Sequence, residues 1–332
     1  MVRFLGSPDR IQTRIRLIAL GAALAAFNAA SWFAVVQAAR TYPMLLALGV
    51  TAFVLGLRHA VDPDHIAAID GTTRKLMHDG QRPVAVGFFF SLGHSTIVFV
   101  LSLLVAAFGT LMVGHLPALR SAGTLAGTIV SALFLFVIAA ANIVVLLDVL
   151  RGSPDGDPLP PGGLLTRFLR PALGMVKQSW HMYPLGVLFG LGFDTATEVA
   201  LLGISAASGA GGMPIVYILL LPCLFAAGMT SIDTLEGMAM LGAYGWAYVR
   251  PARKVLYNFN MTLISIVIAL FIGFTETAAA IGTHTGSPLA HFGDYLSFTS
   301  VGIAIIAIFA INLGASVLVY RGRYLLHVKS MR

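Results

Sequence analysis

Eight stretches of this chain run past the roughly 20 apolar residues needed to cross the hydrocarbon core of a bilayer. They cover about 17–38, 44–69, 83–107, 122–149, 184–207, 214–240, 257–281 and 297–319. Lipid offers no hydrogen-bond partners to exposed backbone, so such segments must close their own bonds as helices. The expected fold is therefore an all-α polytopic membrane protein. Composition agrees: 58% of the residues are hydrophobic and 11% charged, against about 25% charged in soluble domains. The 35 glycines suit membrane helices that approach each other closely.

The net charge of +7 would suit a nucleic-acid partner, but its distribution excludes that reading. With the N-terminus inside, the cytoplasmic segments, both termini included, hold 18 of the 21 lysines and arginines. Among them are Arg14, Arg16, Arg74, Lys75, Arg82, Lys177, Arg253 and Lys254. The outer loops hold Arg40 and Arg120, and Arg58 lies within a span. This is the positive-inside bias, and it places both termini in the cytoplasm. The first span outruns the h-region of a signal peptide and is read as retained. A single cysteine, Cys223, excludes a disulfide framework and a multi-thiolate site.

A stretch at 151–183 contains Gly-Ser-Pro-Asp-Gly-Asp-Pro and Pro-Pro-Gly-Gly, which marks a linker. It divides the chain into a four-span half at 1–150 and another at 184–332. The second and sixth spans share a design, an apolar half followed by a polar half. Asp62 then corresponds to Asp233, and His65 to Glu236. This suggests a parallel repeat of the kind some transporters use. Two gate helices with similar needs would look the same.

Four constellations carry chemistry. The first, Arg58-His59-Ala60-Val61-Asp62-Pro63-Asp64-His65-Ile66, directly follows the apolar run 44–57. Ionisable groups at membrane depth are expensive and usually face a cavity. Imidazoles and carboxylates together suit a divalent transition metal, and the absence of thiolate disfavours Cu(I). Pro63 breaks the helix and can draw together side chains that a straight helix would scatter. His59, Asp62, Asp64 and His65 are therefore candidate metal ligands, against the alternative of a solvated helix end. The second constellation, Ser91-Leu92-Gly93-His94-Ser95, puts a histidine midway along the third span. His94 is either a ligand with Ser95 behind it or an interhelical hydrogen-bond partner. In the third, Asp194-Thr195-Ala196-Thr197-Glu198, two carboxylates four apart would share a helix face. They would serve an ion path or pair with Arg58. The fourth, Gly228 to Gly237, puts Asp233 and Glu236 on one face near the inner end of the sixth span. Arg58, Ser95, Asp194, Thr195, Glu198, Asp233 and Glu236 thus make up the candidate ion pathway.

These motifs resemble those of the nickel/cobalt transporter family. That family's signature, RHA(V/F)DADHI, is met by RHAVDPDHI at 58–66. The one departure is Pro63 in place of alanine. LGHS at 92–95, LGFDTATE at 191–198 and GMTSIDTLEG at 228–237 also match, in order. The resemblance covers nearly the whole chain. It implies an uptake permease for Ni(II), Co(II) or both in a bacterial cytoplasmic membrane, with His59, Asp62, Asp64 and His65 at the core of the metal path. The metal is the transported substrate, and no prosthetic group is expected. An exporter is disfavoured because the linker carries only His181, at its end. A membrane metalloenzyme lacks a nucleophile motif here. A subunit served by a separate ATPase is compatible with the missing GxxxxGK[ST] loop.

Overall fold

The structure is a computed structural model that describes residues 7–150, 176–192, 195–248, 251–285, 287 and 298–330. Among these residues there is helix and no strand. The long helices are α1 (Ser7–Ala38), α2 (Met44–His59), α3 (Pro63–His78), α4 (Val86–Leu150), α5 (Met182–Gly190), α6 (Ala196–Ala210), α7 (Leu220–Tyr248), α8 (Pro251–Thr285) and α9 (Phe298–Ser330). A single helical turn, Ile215–Ile218, leads into α7.

Among the described residues, six segments are long and apolar enough to cross a membrane: 11–38, 86–108, 125–144, 215–245, 259–282 and 299–318. Helices α2 and α3, bent by 55° at the break between them, make a seventh if counted as one span. The chain is a multi-pass membrane protein. The expected fifth span at 184–207 is two pieces, α5 with 9 residues and α6 with 15, each too short to cross alone.

The 65 residues of α4 include a reversal of the chain. Ile97 lies against Gly190, and Gly127 lies against Gly192. On a straight helix those two α4 residues would stand about 45 Å apart. The two arms of α4 therefore run back to back, and both pack on α5.

Pro63 explains the break between α2 and α3. It disfavours the helical conformation at Asp62, which adopts φ −73°, ψ 136°. It then occupies the first turn of α3, where a missing N–H is harmless. Helix α3 continues to His78, beyond the expected end of that span at 69. Arg74, expected in a cytoplasmic loop, is consequently inside the bundle and 4% exposed.

Helices α2 and α3 run parallel to α7 in continuous register. Gly56 meets Phe225, His65 meets Asp233, and Arg74 meets Tyr244. The approach is close enough to require glycine. A Cβ at Gly56 would strike the Phe225 carbonyl, and one at Gly87 of α4 would strike the Asp233 carbonyl. Small residues allow this backbone contact in membrane helices. Three apolar clusters surround the crossing. One gathers Ile66, Leu135, Tyr244 and Met261, a second Leu45, Val98, Leu201 and Phe225, and a third Ile69, Phe90, Met182 and Phe189.

Candidate metal centre

Three histidines from three helices meet between those clusters. His59 ends α2, His65 lies in the first turn of α3, and His94 is in α4. The break at Pro63 turns the first two toward each other. Their rings lie 4.8 Å apart, and His94 stands 4.8 Å from His59 and 4.9 Å from His65. One ligand atom from each lies within 4.8 Å of the others, and all three residues are buried. Aromatic walls support the rings: Phe225 is 5.5 Å from His59, and Phe90 meets His65 edge-on at 4.8 Å.

Glu198 completes this group. Its Oε1 lies 2.9 Å from His94 Nε2 and 3.9 Å from His59 Nε2. The two Nε2 atoms are 3.0 Å apart. Two nitrogens each roughly 2.1 Å from one ion and at right angles would also stand about 3 Å apart. The carboxylate is held from behind. Thr195 caps α6, accepts from the Glu198 backbone N–H, and donates its hydroxyl to Oε2 at 2.7 Å. This is a variant of the capping box, in which a Ser or Thr cap and an acid three residues on secure a helix start. The Thr-x-x-Glu spacing was visible in the sequence, where Asp194 and Glu198 were instead expected to share one helix face. Helix α6 begins at Ala196, with Thr195 as its cap. Asp194 itself lies outside the described residues.

The outer edges of the imidazoles are also fixed. His59 Nδ1 lies 3.0 Å from the Thr197 hydroxyl and 3.4 Å from that of Thr195. His65 Nδ1 lies 3.3 Å from Asp233 Oδ2, and Ser91 also donates to that oxygen. A carboxylate behind an imidazole sets its tautomer and aims the other nitrogen's lone pair. His65 Nε2 is buried with no partner among the described residues. An open imidazole nitrogen, two more imidazoles and a carboxylate form a donor set suited to Ni(II), Co(II) or Zn(II).

The other candidates take different places. Asp62 is the cap residue of α3, and Asp64 Oδ1 accepts from the His65 backbone N–H at 2.8 Å. Neither belongs to the histidine group. Arg58 is exposed and donates through Nε to the Thr299 hydroxyl at 3.0 Å, so the expected alternative of an Arg58 pair is not what holds Glu198. Ser95 is buried with its hydroxyl unpartnered among the described residues. Glu236 lies three residues beyond Asp233 on α7.

Sequence reasoning missed Thr197 and Ser91 as supports of the imidazoles. It also missed a second polar cluster on α3. Arg74 donates to Asp70 Oδ2 at 2.9 Å, to Tyr244 Oη at 2.8 Å, to the Met261 carbonyl at 3.3 Å and to Ser265. Tyr244 and Ser265 also donate to Asp70. The i, i+4 spacing of Asp70 and Arg74 was the available signal.

Residues 45–319 match the family model NicO, described as high-affinity nickel-transport protein. The chain belongs to this family. It is 44% identical to the high-affinity nickel transport protein of Cupriavidus necator, over 93% of each chain. It is 45% identical to the nickel transporter NicT of Mycobacterium tuberculosis, over 83% of this chain and 78% of that one. It is 43% identical to the cobalt transport protein NhlF of Rhodococcus rhodochrous, over 76% of this chain and 74% of that one. No solved structure matches. Beside the three histidines stand Thr195, Thr197 and Glu198 from the segment 191–198 and Asp233 from the segment 228–237.

Proposed function

We propose that this protein is an uptake permease for Ni(II) or Co(II), and that the ion crosses through the buried histidine group. The observation that carries the reading is the convergence of His59, His65 and His94 from three helices, with Glu198 beside two of them. The ion is held by the open nitrogens and the carboxylate, while Thr195, Thr197 and Asp233 keep the donors in place. Asp62 and Asp64 flank His65 and make the approach negative. The relatives named above for nickel and for cobalt support both ions as substrates.

The working topology is eight spans in two four-span halves joined by the 151–183 linker. In it α2 with α3, and α5 with α6, each form one broken span. Both broken spans put a helix end at the metal. The protein resides in a bacterial cytoplasmic membrane with both termini inside, the arrangement favoured by its charge bias. No ATPase is needed. A 2+ ion moving inward through about 100 mV gains roughly 4–5 kcal/mol, enough for more than about a thousandfold accumulation.

Vesicles reconstituted with this chain alone test the reading. A membrane potential, negative inside, should drive nickel or cobalt accumulation, and its collapse should abolish it. Potential-independent flux, or no flux without a second protein, would refute it.

A further inference from the structure

The Asp233 carboxylate is used on one side only. Oδ2 takes His65 and Ser91, while Oδ1 is buried and has no partner among the described residues. The side chain is 0% exposed. Glu236 follows three residues later, on the same face of α7. Both of its carboxylate oxygens are buried and also lack a partner among the described residues. The charged groups facing Glu236 are Asp233, Asp70 and His65. Asp70 is occupied by Arg74, Tyr244 and Ser265. Three buried carboxylate oxygens without partners among the described residues thus belong to one turn of α7 inside a membrane bundle. Such groups are costly unless a cation meets them.

We infer that Asp233 Oδ1 and the Glu236 carboxylate form a second station for the transported divalent cation, with Glu236 about 4.5 Å further along α7 than Asp233. The inference rests on the permease reading. An all-oxygen site is harder and less selective than an imidazole site, and it suits Mn(II) as well as the substrate metals. An ion moving from nitrogen to oxygen donors is held less tightly, which favours release. Helices α3 and α7 run in the same direction, so this station lies toward the His78 end of α3, the inner end in the working topology. Asp233 belongs to both stations: Oδ2 orients His65, and Oδ1 is left for the second ion. An ion on Oδ1 draws charge from Oδ2 and loosens its hold on His65.

Equilibrium binding of nickel and of Mn(II) to the purified full chain tests this. The wild type should show a tight nickel phase and a weaker one, and a bound Mn(II) signal by electron paramagnetic resonance. Glu236→Gln should weaken the second phase by at least about tenfold and remove the Mn(II) signal, leaving the tight phase. Glu236→Asp keeps the charge and should retain both phases, with a shifted weak affinity. That variant alone decides the matter if the glutamine variant does not fold. A weak phase unchanged in both variants, or only a tight phase that neither disturbs, would overturn the second station alone. Absence of any nickel binding by the folded wild type would overturn the permease reading with it.

Discussion

Helix α3 carries two polar clusters, and they are built to opposite ends. Around Asp70 and Arg74 the acceptors are filled: Tyr244 serves one carboxylate oxygen, and Ser265 and Arg74 serve the other. Both charges are almost wholly shielded, at 5% and 1% side-chain exposure. Around His65 the supports are equally careful but the inner face is open, with His65 Nε2 and Asp233 Oδ1 left without partners among the described residues. A sealed network offers nothing to an ion and holds α3 to α7 and α8. An open one, kept dry and aimed, is available to a Lewis acid. Two polar clusters on one helix thus divide into a closed network and an open candidate site.

The largest expected effect lies in the sealed cluster. Arg74→Ala leaves Asp70 buried without its cation, a loss of about 3–5 kcal/mol. The expected result is loss of folded protein from the membrane, read by thermal unfolding in detergent and by expression level. A stable Arg74→Ala protein would mean that the network is no fastener. In the open cluster the order reverses. His94→Ala should leave the protein in the membrane but lower nickel affinity by more than about 100-fold, beyond the range of an outer support. Unfolding of that variant, with binding retained by whatever survives, would erase the distinction between the clusters.

Smaller changes sharpen the comparison. Asp233→Asn keeps the shape but weakens the carboxylate behind His65, so metal affinity should fall by about 10–100-fold, measured by equilibrium binding. An effect as large as that of His94→Ala would make Asp233 a direct ligand of the tight site. Thr197→Val removes one hydroxyl from His59 Nδ1. It should cost about 1 kcal/mol, or roughly fivefold in affinity. A change above about 100-fold would show that the imidazole depends on that hydroxyl for more than orientation.

Much of the architecture was legible along the chain. Span length and low charge dictate an all-helical membrane protein, because only internally bonded backbone tolerates lipid. The α2–α3 break was legible at Pro63, since proline acts locally on its own neighbours. The four polar segments were legible as well, because ionisable residues within apolar runs stand out. Other features were misread for equally local reasons. Arg74 looked like a loop residue because its partners, Tyr244 and Ser265, are about 170 and 190 residues away in sequence. Glu198 was set on a continuous helix, although the threonine cap three residues before it announces a helix start.

The sequence by itself determined the class of the fold, the position of one helix break and the set of residues able to bind metal. Spacing along one helix relates only side chains a turn or two apart. Only the tertiary structure decided which members of that set meet. It brought His94 to His59 and His65, put Glu198 beside two of them, and left Asp62 and Asp64 flanking the group. It also placed Asp233 behind His65. Those choices rest on helix crossings such as the one at Gly87, where the Asp233 backbone leaves room for no Cβ, and contact between distant segments is a property of packing.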